Sequence, residues 1–387
     1  MDAFFLKLMA AAAVATGASA CGQRGGTAAA DDAGAVSDTL MMLVGSYADA
    51  STEGISLYAF NQDDAKAERL GGLSGISNPS FLTVGSGGAM IYAVGEDAGV
   101  TSTVNTIAFD RHNRAMTLVA SDTTGGGAPC HINLASASGR DTHVITANYL
   151  GGSATIYALG PDGRPEGEPV VIRFSGSGAD PERQDRPHAH FATFTPDSTR
   201  LLVTDLGTDR IHVLPVIGGR ELVDAAAMTD VELAPGAGPR HIDWHPSLPV
   251  GYLIDEIDGN VNVIASDSLG VVQTIKADSV GAQGSGDIHV SPDGRFVYAS
   301  NRLKADGIAI FAIDQATGRL THAGYQPTGP HPRNFAITPN GRFMLVACRD
   351  TDTIEVYAVS GADGSLSRVA GADIHVSRPV CIKFIEQ

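Results

Sequence analysis

The chain has 387 residues, 43% of them hydrophobic and 18% charged, which is enough apolar material for a large core and too balanced for disorder. Its 46 glycines and 19 prolines, with no long stretch of helical period, point to many short strands joined by tight turns. A net charge of −17 argues against nucleic acid and an anionic membrane face as partners, because both need a basic patch; a small anion held by a few converging arginines is still allowed.

Residues 4–20 are apolar and alanine-rich, and Ala18-Ser19-Ala20 is a small-residue cleavage pattern. Cys21 follows at once, as in a bacterial lipobox, although Ala18 stands where leucine is usual and Asp2 offsets Lys7. The expectation is a signal peptide over 1–20, then a Gly/Ala/Asp tether over 21–39 carrying Cys21 as lipid anchor. The protein is then exported, periplasmic or membrane-anchored, touching a membrane only through that lipid; plain secretion after cleavage is the alternative.

The remainder, 40–387, is expected to be one all-β domain. Runs 41–47, 54–60 and 67–73 give three strands before the first of seven anchors. These anchors are Asn78-Pro79-Ser80-Phe81, Pro129-Cys130-His131, Ala189-His190-Phe191, Pro239-Arg240-His241, Ser285-Gly286-Asp287, Pro332-Arg333-Asn334 and Pro379-Val380-Cys381. They recur at about 47 to 58 residues, each ahead of an alternating apolar run. In the unit opening at Pro239, runs 240–244, 250–254, 261–265 and 270–275 make four strands, and the unit at Ser285 repeats them. Four antiparallel strands per unit make one propeller blade. The last anchor opens a single strand, 380–384, which completes a seventh blade with the three N-terminal strands and removes open sheet edges.

In a propeller the innermost strands line a central channel, so the second anchor places form a ring at one mouth: Ser80, Cys130, His190, Arg240, Gly286, Arg333 and Val380. The next places add His131, His241 and Asn334. Turns after the second strands supply Glu96, Asn148-Tyr149, Asp205, Asp255-Glu256, Asn301-Arg302 and Arg349. Arginines, histidines and carboxylates at one opening form an anion-binding, acid–base constellation. The competing readings are structural. Arg240 and Arg333 would be ion pairs joining blades, Glu256 their counter-charge, and His131 and His241 hydrogen-bonded packing residues. His112, His143, His212, His289, His322, His331 and His375 show no charged partner in register and read as background.

The least blade-like segment, 175–190, packs Glu182, Arg183, Gln184, Arg186, His188 and His190 into nine residues, the kind of long polar loop on which binding groups reside. His188-x-His190 lacks a third ligand at suitable spacing, so no metal is expected. Cys130, Cys348 and Cys381 read as buried free thiols, with a Cys348–Cys381 bridge between blades as the alternative.

At this loop the chain resembles the seven-bladed propeller lactonases, a family including bacterial 6-phosphogluconolactonases and fungal carboxy-muconate cyclases. The strings that carry the likeness include Asn78-Pro79-Ser80-Phe81-Leu82, Asp180-Pro181-Glu182-Arg183-Gln184, Pro187-His188-Ala189-His190, Gly238-Pro239-Arg240-His241 and Pro332-Arg333-Asn334-Phe335. The resemblance implies metal- and cofactor-independent chemistry on a lactone ring. It implies a catalytic set of His190 or His188, with Arg240, Arg333 and Glu256. His131, Glu182, Arg183, Asp205, His241, Asn301, Arg302 and Asn334 are then expected around the substrate. Gly95, where asparagine is usual, and Cys348-Arg349-Asp350 depart from the family pattern at the same mouth and bear on substrate identity more than on reaction type. The expected activity is hydrolysis of a sugar-type lactone by an exported monomer. A lactone-forming muconate cycloisomerase and a non-catalytic, surface-tethered binding propeller are the alternatives.

Overall fold

Seven four-stranded antiparallel blades surround a central channel in the computed structural model, which describes residues 39–385. The signal segment, the tether and Cys21 lie outside the described residues. From blade one to blade seven, the innermost strands are Leu82–Val84, Pro129–Ala137, Ala189–Phe194, Pro239–Trp244, Ser285–Val290, Pro332–Ile337 and Pro379–Ile385. Each touches the next, and the last touches the first, so the ring is closed. Blade seven is stitched from both ends of the domain: Pro379–Ile385 pairs with Thr39–Ser46, which is followed outward by Glu53–Asn61 and Ala67–Ser74.

Burial follows blade position. The second strand of each blade is covered on both faces by its neighbours and is mostly apolar; every residue of Val250–Asp255 and of Phe343–Cys348 is buried. Outermost strands meet water and alternate, as in Val271–Lys276. The core is therefore a set of layers between blades. In one of them Val250, Tyr252 and Val261 of blade four pack on Ile288, Val297 and Phe311 of blade five. The outer edges of blades three and six are broken into two short pieces, Leu222–Val223 with Thr229–Glu232 and Leu366–Arg368 with Ile374–His375.

A tyrosine in the second strand ties one blade to the next. The hydroxyls of Tyr92, Tyr252 and Tyr298 donate to the carbonyls of Gly163, Gly318 and Gly364, each in an outer turn of the following blade. Each aromatic ring is buried while its hydroxyl is satisfied, as a buried tyrosine requires. Cys130, Cys348 and Cys381 are free and buried, so the alternative Cys348–Cys381 bridge is not formed.

Closure makes the last strand a condition of folding, because without it Thr39–Ser46 and the innermost strands of blades one and six lose a neighbour. A chain ending at residue 378 is expected to elute as aggregate and to lose its cooperative melting transition. A monomeric truncation that melts with the full-length protein would contradict this closure.

Candidate active site at the channel mouth

Six of the seven anchors prove to be β-bulges. The ladder skips one residue between Pro129 and His131, Ala189 and Phe191, Pro239 and His241, Pro332 and Asn334, and Pro379 and Cys381; in blade five it skips two, Gly286 and Asp287. An unpaired bulge residue bends the strand and re-aims its side chain. Here those residues are Cys130, His190, Arg240, Arg333 and Val380. The residue before the anchor proline (Pro379 in the split blade) is left-handed at Asn78, Ala128, Gly238, His331 and Arg378, with φ of 45°, 48°, 66°, 60° and 43°. Its carbonyl accepts from the N–H of the residue just past the second strand: Glu96 to Asn78, Tyr149 to Ala128, Glu256 to Gly238, Arg349 to His331 and Tyr47 to Arg378. Bulge and second-strand turn are thus locked together in blades two, four, six and seven, and in blade one the turn is tied to Asn78 in the same way, which stacks two rings of side chains at one opening.

Tyr47 belongs to the second ring although the sequence reading missed it. It stands just past Thr39–Ser46, the second strand of the split blade, and counting from strand ends in that blade would have found it.

Glu256 is the hub. Its carboxylate accepts from Arg240 Nε at 2.8 Å and Arg183 Nη2 at 2.6 Å, and pairs with Arg302 Nη2 at 3.2 Å. Burial alone would raise its pKa, but Arg302, Arg240 and Arg183 outweigh burial and hold it at about 2. Arg183 reaches this hub from the 175–190 loop, and its guanidinium also donates to the Gln283 carbonyl at 3.3 Å. The loop is fastened by Gln184, whose amide donates to Leu206 O and Asp209 at 2.8 and 2.6 Å. At Gly207 a Cβ would lie 1.9 Å from the Arg186 carbonyl, so only glycine admits the loop this close.

His190 Nε2 lies 3.9 Å from Glu256, and its buried Nδ1 has no hydrogen-bond partner. Burial, then Arg240, His241, Arg333 and Arg302, hold its pKa well below 6.5, so the ring is neutral. Arg333 makes no ion pair among the described residues. Its guanidinium lies over the Tyr47 ring at 5.6 Å, and Tyr47 donates to Glu96 at 3.1 Å, which Ser80 also caps. Burial opposes the charge of Arg333, yet Tyr47, Glu96 and Glu256 raise its pKa and keep it a cation.

The structure thus brings together Arg183, His190, Arg240, Glu256, Arg302 and Arg333. It treats other expected residues differently. His188 stacks on Tyr149 at 4.4 Å, and both its nitrogens are occupied, Nδ1 by Tyr149 O at 3.0 Å and Nε2 by Asp185 at 3.3 Å; it supports the mouth, and neither nitrogen is open to a substrate. Asp205 is fully buried, its oxygens taken by the N–H groups of His188 and Gly207 and by His212. Asn301 is consumed by Ser285 and the Ala277 carbonyl. Glu182 is exposed, and its side chain makes no hydrogen bond or ion pair among the described residues. His131 is sandwiched between Phe81 and Phe191, with centroids at 4.5 and 4.0 Å, while Nδ1 accepts from Ala192 N. His241 and Asn334 converge on Asp287 below the mouth. Three histidines read as background are in fact paired: His212 with Asp205 and Asp230, His289 with Asp287 and Asp243, and His331 with Asp350.

Known proteins share this architecture. The family model described as "Lactonase, 7-bladed beta-propeller" matches residues 41–384. The 6-phosphogluconolactonase of Formosa agariphila is 32% identical over 337 residues, which span 85% of this chain and 95% of that protein. The crystal structure of a Bacteroides fragilis protein described as a candidate 6-phosphogluconolactonase matches with a TM-score of 0.83 at 41% identity, over 90% of this chain and 99% of the other. The periplasmic gluconolactonase of Pseudomonas aeruginosa matches with a TM-score of 0.81 at 28% identity, over 90% and 99%.

Removing the hub charge would leave three guanidinium groups crowded without their anion. Glu256→Gln is expected to destabilise the fold by roughly 3 kcal/mol, the cost typical of breaking a buried ion pair. In the native protein this contribution is present above pH 4.5, the ordinary carboxyl value, and is lost as pH falls through about 2. Denaturant titrations of both proteins at pH 7 check the first claim, and equal midpoints would refute it.

Proposed function

Because the chain belongs to the seven-bladed β-propeller lactonase family and is a lactone hydrolase, we propose that it opens a sugar-type lactone at this mouth with His190 as general base. The observation that carries the reading is the unpartnered Nδ1 of a neutral, buried histidine beside Arg333, a guanidinium of the mouth that holds no carboxylate among the described residues. A base needs a lone pair, and an oxyanion needs a charge not already spent.

The steps follow from these two groups. Water adds to the ring carbonyl while His190 takes its proton, and the new oxyanion is held by Arg333. Collapse of the tetrahedral species breaks the bond to the ring oxygen, which leaves as an alkoxide and receives the proton from the imidazolium. The product is an open hydroxy acid, which gives up its carboxyl proton to water and keeps its carboxylate against Arg333. Arg240 is held by Glu256 and carries the same positive field to the reacting face. Glu256 itself is a fixed anion that keeps the arginines in place; three cations hold its proton affinity too low for a base at neutral pH.

Arg183, Arg240, Arg302 and Arg333 face Glu96 and Glu256, an excess of cations that favours an anionic transition state and an anionic product. The cleavage pattern ahead of Cys21 supports an exported lipoprotein, for which an aldonolactone formed outside the cytoplasm is the fitting substrate.

A pH-stat panel of phosphorylated and unphosphorylated aldonolactones, corrected for spontaneous opening, tests this reading. His190→Asn and Arg333→Ala are each expected to lower kcat by on the order of a hundredfold without loss of fold. Wild-type rates in either would reject the assignment. With the His190 pKa held well below 6.5, kcat/KM should stay flat from pH 7 to 6, and an acid limb centred on 6.5 would contradict it. Incorporation of an alkyne fatty acid that disappears in Cys21→Ala is expected of the lipoprotein; equal labelling of both rules out that anchor.

A further inference from the structure

Beneath the mouth a second buried anion is wired to the first through a histidine whose tautomer the geometry dictates. Arg240 Nη1 lies 3.1 Å from His241 Nε2, and a guanidinium only donates, so Nε2 presents its lone pair. The ring hydrogen is then on Nδ1, which donates to Asp287 Oδ1 at 2.7 Å. Asp287 is buried in the two-residue bulge of blade five. Its other oxygen accepts from His289 Nε2 at 3.0 Å and from the Asn334 amide, and its backbone N–H donates to Ser300 Oγ at 2.8 Å. Every direction around this carboxylate is specified, and one of its two oxygens is aimed at His241.

The charges agree with the geometry. Burial, then Arg240, bring His241 down to about 3, so it is neutral. His289, despite burial, is raised to about 10 by Asp287 and Asp243, so an imidazolium compensates the Asp287 charge. No hydrogen bond or ion pair among the described residues joins Asp287 or His289 to Glu256 or His190.

We infer that Asp287 is a positioning residue for the lactonase reaction: by accepting the Nδ1–H of His241 it keeps Nε2 as an acceptor, and that acceptor fixes the guanidinium plane of Arg240. The remaining Nη1 direction is set by the Gly286 carbonyl at 2.7 Å, in the same bulge, so blade five orients the arginine of blade four twice. An amide at position 287 has one oxygen for the two pairs of donors around it, and with the imidazolium of His289 and the Asn334 amide keeping that oxygen its nitrogen would present a donor to His241 Nδ1. The ring hydrogen would then move to Nε2, placing donor against donor at Arg240 and turning it away from the mouth. The inference rests on the reading of Arg240 above.

Nitrogen-15 spectra of histidine-labelled wild-type protein, with the His241 signal identified by its loss in His241→Gln, are expected to show the Nδ1–H form. An Nε2–H or doubly protonated ring overturns the inference without any variant at 287. Asp287→Asn is expected to invert the tautomer and to lower kcat by about thirtyfold with KM changed less than threefold, while Asp287→Glu, which keeps an acceptor, restores the tautomer and most of the rate. Arg240→Ala measured alongside separates the two claims. Wild-type turnover in that variant sinks the role of Arg240. Its loss, together with unchanged tautomer and kcat in Asp287→Asn, sinks the positioning role alone.

Discussion

A regular antiparallel ladder has no place for an unpaired residue, yet this protein inserts one at the same point of nearly every innermost strand. The insertion is stable because the surrounding backbone is over-determined. In blades two, four, six and seven a left-handed residue before the bulge turns its carbonyl toward the N–H that follows the second strand, so a strained conformation is held by a hydrogen bond within the same blade. The bond that relieves the bulge also delivers residues of the second ring, among them Tyr47, Tyr149 and Glu256. Strain and site are one structure here, and the chemistry at the mouth is a product of backbone geometry before it is a product of side chains.

Charge balance is the second layer. Two buried carboxylates organise the mouth, and they do so in different ways. Glu256 gathers guanidinium groups from the loop and from blades four and five, so its own basicity is suppressed and its work is to hold cations together. Asp287 gathers neutral and charged imidazoles and an amide, and links blades four, five and six; Asn334 then accepts from Ile382 N and extends the belt to blade seven. A low-dielectric channel strengthens each of these contacts and makes any unpaired member costly. His190 Nδ1 and the guanidinium of Arg333 lack such a counterpart among the described residues, and there a ligand has much to gain.

Much of this was legible from the residues alone. Periodicity and strand counting led to seven blades and to the split seventh, because alternation and turn residues recur at fixed offsets. Register alone assembled Arg240, Glu256, Arg333 and His190 at one opening. Hydrogen-bond partners were not legible. Arg183 and Glu256 are far apart in the chain, and only the fold of the 175–190 loop decides that they meet. His188 and His190 look alike in sequence, yet one is locked between Tyr149 and Asp185 while the other keeps a free nitrogen. His289 lay two residues beyond an anchor aspartate, on the same strand face, and alternation could have paired it with Asp287. The bulge was hidden because Pro-x-His has no composition that distinguishes an extra residue from an ordinary strand start.

The split blade also has a consequence for the order of assembly. Strand Thr39–Ser46 pairs with Pro379–Ile385, so its partner is made only after the six intervening blades. At ribosomal rates the interval is on the order of tens of seconds, and for all of it one apolar edge has nothing to bond. Six blades' worth of polypeptide must wait in a partly folded state, and contacts so distant in the chain are slow to form even afterwards. Whatever environment receives the nascent protein has to keep that edge apart from its neighbours, which makes the zipping of the ring the step most exposed to competition from self-association.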